Sequence, residues 1–175
     1  MVKKSQITFE LENTEVGDLR SHISKMGFSG RFVRDNREYY YLPTYTDSID
    51  TRLIIREDNN QGRLIQQSLP ENYEFEENSI SIDHVATARK IFENIGWRLD
   101  VEVIKFTEVY QSDFYLGCEI GIVCLLSSAW FLEIKAPYIE TAWNIAEKLN
   151  MQDRKLIDKT YKMYAEESKK VREVV

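Results

Sequence analysis

The stretch Ile7-Thr8-Phe9-Glu10-Leu11-Glu12 constrains this chain more than any other. Apolar Ile7, Phe9 and Leu11 alternate with Thr8, Glu10 and Glu12, and a period of two marks a β-strand with one face on a core. The other face then carries two carboxylates, roughly 7 Å apart by strand rise. Two readings fit such a pair. One is an amphipathic strand with its polar face in water; the other is a pair of ligands for a hard divalent cation, which prefers carboxylate oxygens.

Strand signals recur along the chain at 31–33, 38–41, 51–56, 63–67, 101–110, 114–126 and 130–135, giving eight strands with the first. A polar turn is expected at Asp35-Asn36 and an acidic surface loop from Pro70 to Asn78. Helical spacing predicts a helix over 15–26 stopped by Gly27. A second, capped by Asp83, runs through Ile95 with Val85, Ala88, Phe92 and Ile95 on its apolar side. A third covers 141–149, and a last one, capped by Asp153, covers about 153–171. The endings Met26-Gly27-Phe28 and Ile95-Gly96-Trp97 echo one another, and the first strand has an acidic counterpart in Phe131-Leu132-Glu133-Ile134-Lys135. Two strand-rich halves, each with a helix, suggest one antiparallel sheet closed by pseudo-twofold symmetry. Eight such strands would enclose a small lumen, with helices packed outside.

At 175 residues, 43% hydrophobic and 30% charged, the chain fits a single domain with a substantial core. A net charge of −6 argues against general nucleic-acid or anionic-membrane binding. No apolar run approaches the roughly 20 residues of a membrane-spanning helix, and no signal peptide is evident. Cys118 and Cys124 are expected as free thiols in a reducing, cytoplasmic setting, and with His22 and His84 they make no zinc motif.

If the sheet closes, alternation turns Glu10, Glu12, Arg52, Arg56, Lys105, Thr107, Glu119, Val123, Glu133 and Lys135 inward. Inward charges are unfavourable unless paired or solvated. Either a lumen with acids for a metal and bases for an anion, or a set of internal salt bridges, would account for them.

The series Leu53-Ile54-Ile55-Arg56-Glu57, Arg63-Leu64-Ile65-Gln66-Gln67-Ser68, Ile95-Gly96-Trp97, Lys105-Phe106-Thr107-Glu108-Val109-Tyr110 and Trp130-Phe131-Leu132-Glu133-Ile134, behind the Glu-x-Glu strand, resembles the CYTH superfamily. Class IV adenylate cyclases, thiamine triphosphatases and related triphosphate tunnel enzymes belong to it. The resemblance spans about residues 5–165, with Lys159-Thr160-Tyr161 matching a Ser-Tyr of the family's last helix. It implies an α+β fold around a closed eight-stranded antiparallel β-barrel. It also implies a small-molecule phosphate ligand, a triphosphate among them, with Mg²⁺ or Mn²⁺. By this likeness Glu10, Glu12 and Glu133 would hold the metal, Arg56 and Lys105 would serve catalysis, and Arg52, Arg56, Lys105 and Lys135 would grip phosphate. Thr14, Ser68, Thr107 and Val123 stand where the family carries charge. The two readings that follow are a divergent metal-dependent enzyme and a catalytically degenerate anion-binding or scaffold module.

Overall fold

The computed structural model describes residues 2–44, 51–58, 61–68, 73–125 and 129–157. Eight strands form it: β1 (Val2–Leu11), β2 (Ser29–Pro43), β3 (Thr51–Asp58), β4 (Gln61–Ser68), β5 (Glu74–Ile82), β6 (Trp97–Gln111), β7 (Glu119–Leu125) and β8 (Trp130–Ala136). Three helices accompany them: α1 (Val16–Lys25), α2 (Val85–Asn94) and α3 (Ile139–Lys148). The strands close into a barrel in the order β1-β5-β4-β3-β2-β6-β7-β8. Closure depends on β1. Its first residues, Val2–Ser5, pair with β5, while Ser5–Leu11 pair with β8.

The expected count of eight holds, although two strands differ from those expected. Residues 31–33 and 38–41 belong to one 15-residue strand. There is no turn at Asp35-Asn36, because these residues continue the ladder opposite Phe106 and Lys105. The missing strand is β5, which occupies the second half of the expected acidic loop. Only Phe75 of β5 is buried, so no alternation announces it. Its pairing with β4 from Gly62 to Gln67 holds it in place. Residues 112–118 form turns instead of extending β7.

The internal echo is real and differently composed. Each half runs strand, helix, long strand, strand, strand, so β5 stands to α2 as β1 stands to α1; β8 is not the counterpart of β1. Gly27 (φ +80°) and Gly96 (φ +89°) adopt the left-handed conformation that ends each helix and launches each 15-residue strand. Those two long strands, β2 and β6, lie side by side over most of their length.

Two layers of core follow from alternation. Outside the barrel, Ile7, Phe9 and Leu11 pack with Ile120, Ile122, Leu132 and Ile134 beneath α1 and α3. Tyr39, Tyr41 and Ile55 meet Val85, Ala88 and Phe92 of α2. Ile95, expected on that apolar side, is 60% exposed. Inside, Tyr40, Ile54, Ile65, Val101, Val103, Val123, Leu125 and Phe131 form an apolar plug. Asp153 caps no helix: residues 151–157 form turns and a single bridge between Leu156 and Phe9. The remainder of the expected last helix, with Lys159-Thr160-Tyr161, lies outside the described residues. No described helix is long and apolar enough to cross a membrane.

Gly62 is the tightest point beneath α2. A Cβ there would stand 2.6 Å from Ile82 Cγ1, 2.7 Å from the Ile82 carbonyl oxygen and 2.7 Å from Val85 Cγ2. Gly62→Ala is therefore expected to destabilise the fold by about 1–3 kcal/mol, the range for overpacking a filled core. Urea unfolding checks this, and an unchanged midpoint would show that α2 is free to lift from the sheet.

Candidate functional site: the charged lumen

Register carries the lumen-facing residues to one another. Glu38 on β2 is paired with Arg56 on β3 and Val103 on β6, and Asn36 with Asp58 and Lys105. On the far wall Thr8 faces Glu133, Gly121 also faces Glu133, and Glu119 faces Lys135.

Glu38 is the centre of this network. Only 1% of it is exposed, and a lone carboxylate so placed would be strongly destabilising. Its Oε1 accepts from Arg56 Nε at 2.8 Å and lies 3.1 Å from Lys105 Nζ; its Oε2 accepts the Tyr40 hydroxyl at 2.9 Å. Burial alone would raise its pKa, but Lys105 and Arg56 outweigh that and hold the carboxyl well below its usual range. Burial likewise opposes the charge on Arg56, which Glu38 more than restores.

A second network lies on the adjoining stretch of wall. Arg34 grips Glu119 with both guanidinium nitrogens, at 3.1 and 3.2 Å, and has Asp58 at 3.9 Å. Lys135 Nζ is 2.9 Å from Glu133 and 3.6 Å from Glu119. Burial works against the Lys135 ammonium, yet Glu133 and Glu119 raise its pKa overall, while Arg56 lies close enough to act in the other direction. Arg56 and Lys135 are thus near enough within the barrel to act on one another as like charges. Among the described residues Arg56 donates hydrogen bonds only through Nε, which leaves the fork of Nη1 and Nη2 for another acceptor.

The expected residues are therefore brought together in part. Arg56, Lys105, Lys135 and Glu133 share the lumen, with Lys105 enclosed at 7% side-chain exposure. The side chain of Arg52, on β3 opposite Gln67, lies outside the described part. Glu10 sits on β1 opposite Phe131 and diagonal to Glu133 on the same face. Glu12 is exposed just beyond the strand, capping the 3₁₀ turn Asn13–Glu15, and its N–H donates to the Glu15 carboxylate at 2.9 Å. No three His, Cys, Asp or Glu side chains among the described residues form a group able to hold a metal ion. The donor set that remains, Glu10 with Glu133, fits only a cation that completes its shell with ligand phosphates and water, as Mg²⁺ commonly does. Tyr110 turns outward, packs under α1, and donates to Glu108, which also binds Arg20.

Two residues central to the lumen, Glu38 and Arg34, were not among those expected. Their signal is the shared parity of Arg34, Asn36, Glu38 and Tyr40. It is hidden when the stretch is read as two strands around a turn. Thr107 and Val123 do face inward, paired with each other and buried without charge. Ser68 ends β4 with its hydroxyl accepting the Glu76 N–H at 2.9 Å.

No family model matches the sequence, and no curated protein does so. Solved structures match it closely in shape. A candidate adenylate cyclase of Vibrio parahaemolyticus superposes with a TM-score of 0.75 at 14% identity, covering 93% of this chain and 97% of that one. A candidate adenylyl cyclase of Hippeastrum, described with a dominant triphosphatase activity, gives 0.65 at 13% identity, covering 91% and 92%. A chain of the Schizosaccharomyces pombe Mediator head module gives 0.68 at 11% identity, covering 89% and 98%. The chain has the closed eight-stranded tunnel fold of these proteins. Identities this low establish the tunnel's shape; its chemistry has to be argued from this chain's own side chains.

In this tunnel the Glu38 cluster has a measurable signature. Lys105→Met removes one partner of a buried pair and should cost about 3 kcal/mol at neutral pH. The depressed carboxyl contributes stability that is fully present above its ordinary pKa of 4.5 and is lost as pH falls through the lower folded value. The gap between wild type and Lys105→Met should therefore narrow below about pH 4 as Glu38 takes up a proton. Chemical denaturation across pH measures it, and a gap that stays constant into acid would rule out the ion pair as its source.

Proposed function

We propose that the tunnel receives the phosphate end of a small-molecule ligand and holds it between Arg56 and Lys135. The observation that carries this reading is the arrangement of those two cations. They lie near one another inside a closed barrel, 28% and 35% of their side chains reach solvent, and among the described residues the Arg56 fork donates no hydrogen bond through Nη1 or Nη2. A planar guanidinium fork and an ammonium are the groups proteins use to grip phosphate oxygens.

A divalent cation, Mg²⁺ or Mn²⁺, would enter with the phosphates, held by Glu10 and Glu133, and would neutralise charge on the transferring oxygens. Arg56 and Lys135 would fix the phosphoryl group, and the apolar plug of Val123, Leu125 and Phe131 would keep water from the closed side of the lumen. Lys105 acts through Glu38 in this reading, as a buried partner that holds the acid in place. Hydrolysis or cyclisation of a bound triphosphate is the enzymatic form of the proposal, in line with the adenylyl cyclase and triphosphatase descriptions attached to two of the structural neighbours.

A second reading, a degenerate anion-binding or scaffold module, is favoured by one observation. The lumen cations already have internal carboxylate partners, and Thr107 and Val123 bring no charge. The Mediator neighbour shows that the same fold occurs within a multisubunit assembly.

Thermal unfolding with ATP, thiamine triphosphate and tripolyphosphate, with and without Mn²⁺, tests the first reading. Ligand at about 100 times Kd should stabilise by about 2.7 kcal/mol, several degrees in Tm, and Arg56→Ala should remove most of the shift. No shift at millimolar ligand would overturn it. Phosphate release that disappears in Glu10→Ala would then separate turnover from binding alone, and release unaffected by that change would refute the metal assignment.

A further inference from the structure

We propose that Glu38 is the specificity-determining residue of the tunnel: it stands, as an internal anion, where Arg56 and Lys105 converge, and keeps a polyphosphate chain from that point. The inference rests on the anion-binding reading and narrows it: whatever the length of the phosphate chain, the tunnel grips only one or two of its phosphoryl groups.

The geometry is that of an occupied anion site. One oxygen of Glu38 takes both cationic donors, at 2.8 and 3.1 Å, and the other takes the Tyr40 hydroxyl at 2.9 Å. A phosphate oxygen in the same place would use the same donors at the same separations. The carboxylate is tethered on β2, so its effective concentration there exceeds that of any dissolved ligand. Beyond it, Ile54 and Val103 belong to the apolar plug and offer a longer chain no donor. What remains for a ligand is the Arg56 fork and Lys135.

Charge balance points the same way. Among the described residues, lumen ion pairs join Arg34, Arg56, Lys105 and Lys135 to Glu38, Glu119, Glu133 and Asp58, four of each sign. Cations that already face carboxylates attract a compact anion through local donors more readily than they attract a chain of three phosphates. Removing the Glu38 charge takes away the carboxylate that Arg56 and Lys105 share.

Isothermal titration of wild type and Glu38→Gln with inorganic phosphate, pyrophosphate and tripolyphosphate, in metal-free buffer at low ionic strength, tests this. Wild type should bind tripolyphosphate no more tightly than pyrophosphate. Glu38→Gln should bind tripolyphosphate about tenfold more tightly than wild type, with a smaller gain for phosphate. If Glu38→Gln does not fold by circular dichroism, Glu38→Asp replaces it; its carboxylate is one methylene short of the donors and should move affinity in the same direction by less. Tripolyphosphate affinity that is unchanged or weaker in a folded Glu38 variant overturns the proposal and leaves the anion-binding reading standing. So does wild-type preference for tripolyphosphate over pyrophosphate. If neither wild type nor variant binds any of the three, the anion-binding reading itself is overturned.

Discussion

A closed barrel has no edge and no free face, and that constraint shapes everything else in this protein. Once β1 forks its pairing between β5 and β8, every strand must send alternate side chains inward. An inward charge then has no bulk water to fall back on and must find a partner on another strand. Glu38 answers this on one wall, with Arg56, Lys105 and Tyr40; Glu119 and Glu133 answer it on the other, with Arg34 and Lys135. The register of the ladders decides which residues meet, so fold and site are set by the same hydrogen bonds.

Much of this was legible from residue pattern. The alternation of Ile7, Phe9 and Leu11, the left-handed glycines after α1 and α2, and the inward parity of Arg56, Lys105, Glu133 and Lys135 all follow from local chemistry. What was not legible has physical causes too. Asp35 and Asn36 have turn propensity, but the ladder to β6 overrides it, and with it went the chance to see that Arg34 and Glu38 share a face with Tyr40. The strand β5 is mostly exposed, so its placement rests on backbone pairing to which the side-chain pattern is silent. Glu12 keeps an extended backbone but lies past the end of the ladder at Leu11, where it caps the 3₁₀ turn Asn13–Glu15 and is exposed.

The lumen is divided between two tasks. Tyr40, Ile54, Val103, Val123 and Phe131 make part of it a second hydrophobic core, buried as completely as the one beneath the helices. Val123 belongs to that part, where a carboxylate would sit against Phe131 and Leu125; Thr107 lies at its border, since a Cβ on Gly121 would stand 3.2 Å from Thr107 Cγ2 and 3.7 Å from Glu133 Oε2. The polar part keeps a full set of ion pairs.

This division bears on how any ligand could bind. Because its inward charges are matched across the strands, the fold does not need an anion to be stable, and a ligand gains only what it offers beyond the carboxylates already in place. Donors buried against an internal acid, such as Lys105 against Glu38, contribute little to a newcomer unless the acid leaves. Donors with spare valence, such as the Arg56 fork, contribute at once. Binding in this tunnel is therefore a competition between a dissolved anion and tethered ones. Its outcome depends less on how many cations line the wall than on which of them Glu38, Glu119 and Glu133 leave incompletely satisfied.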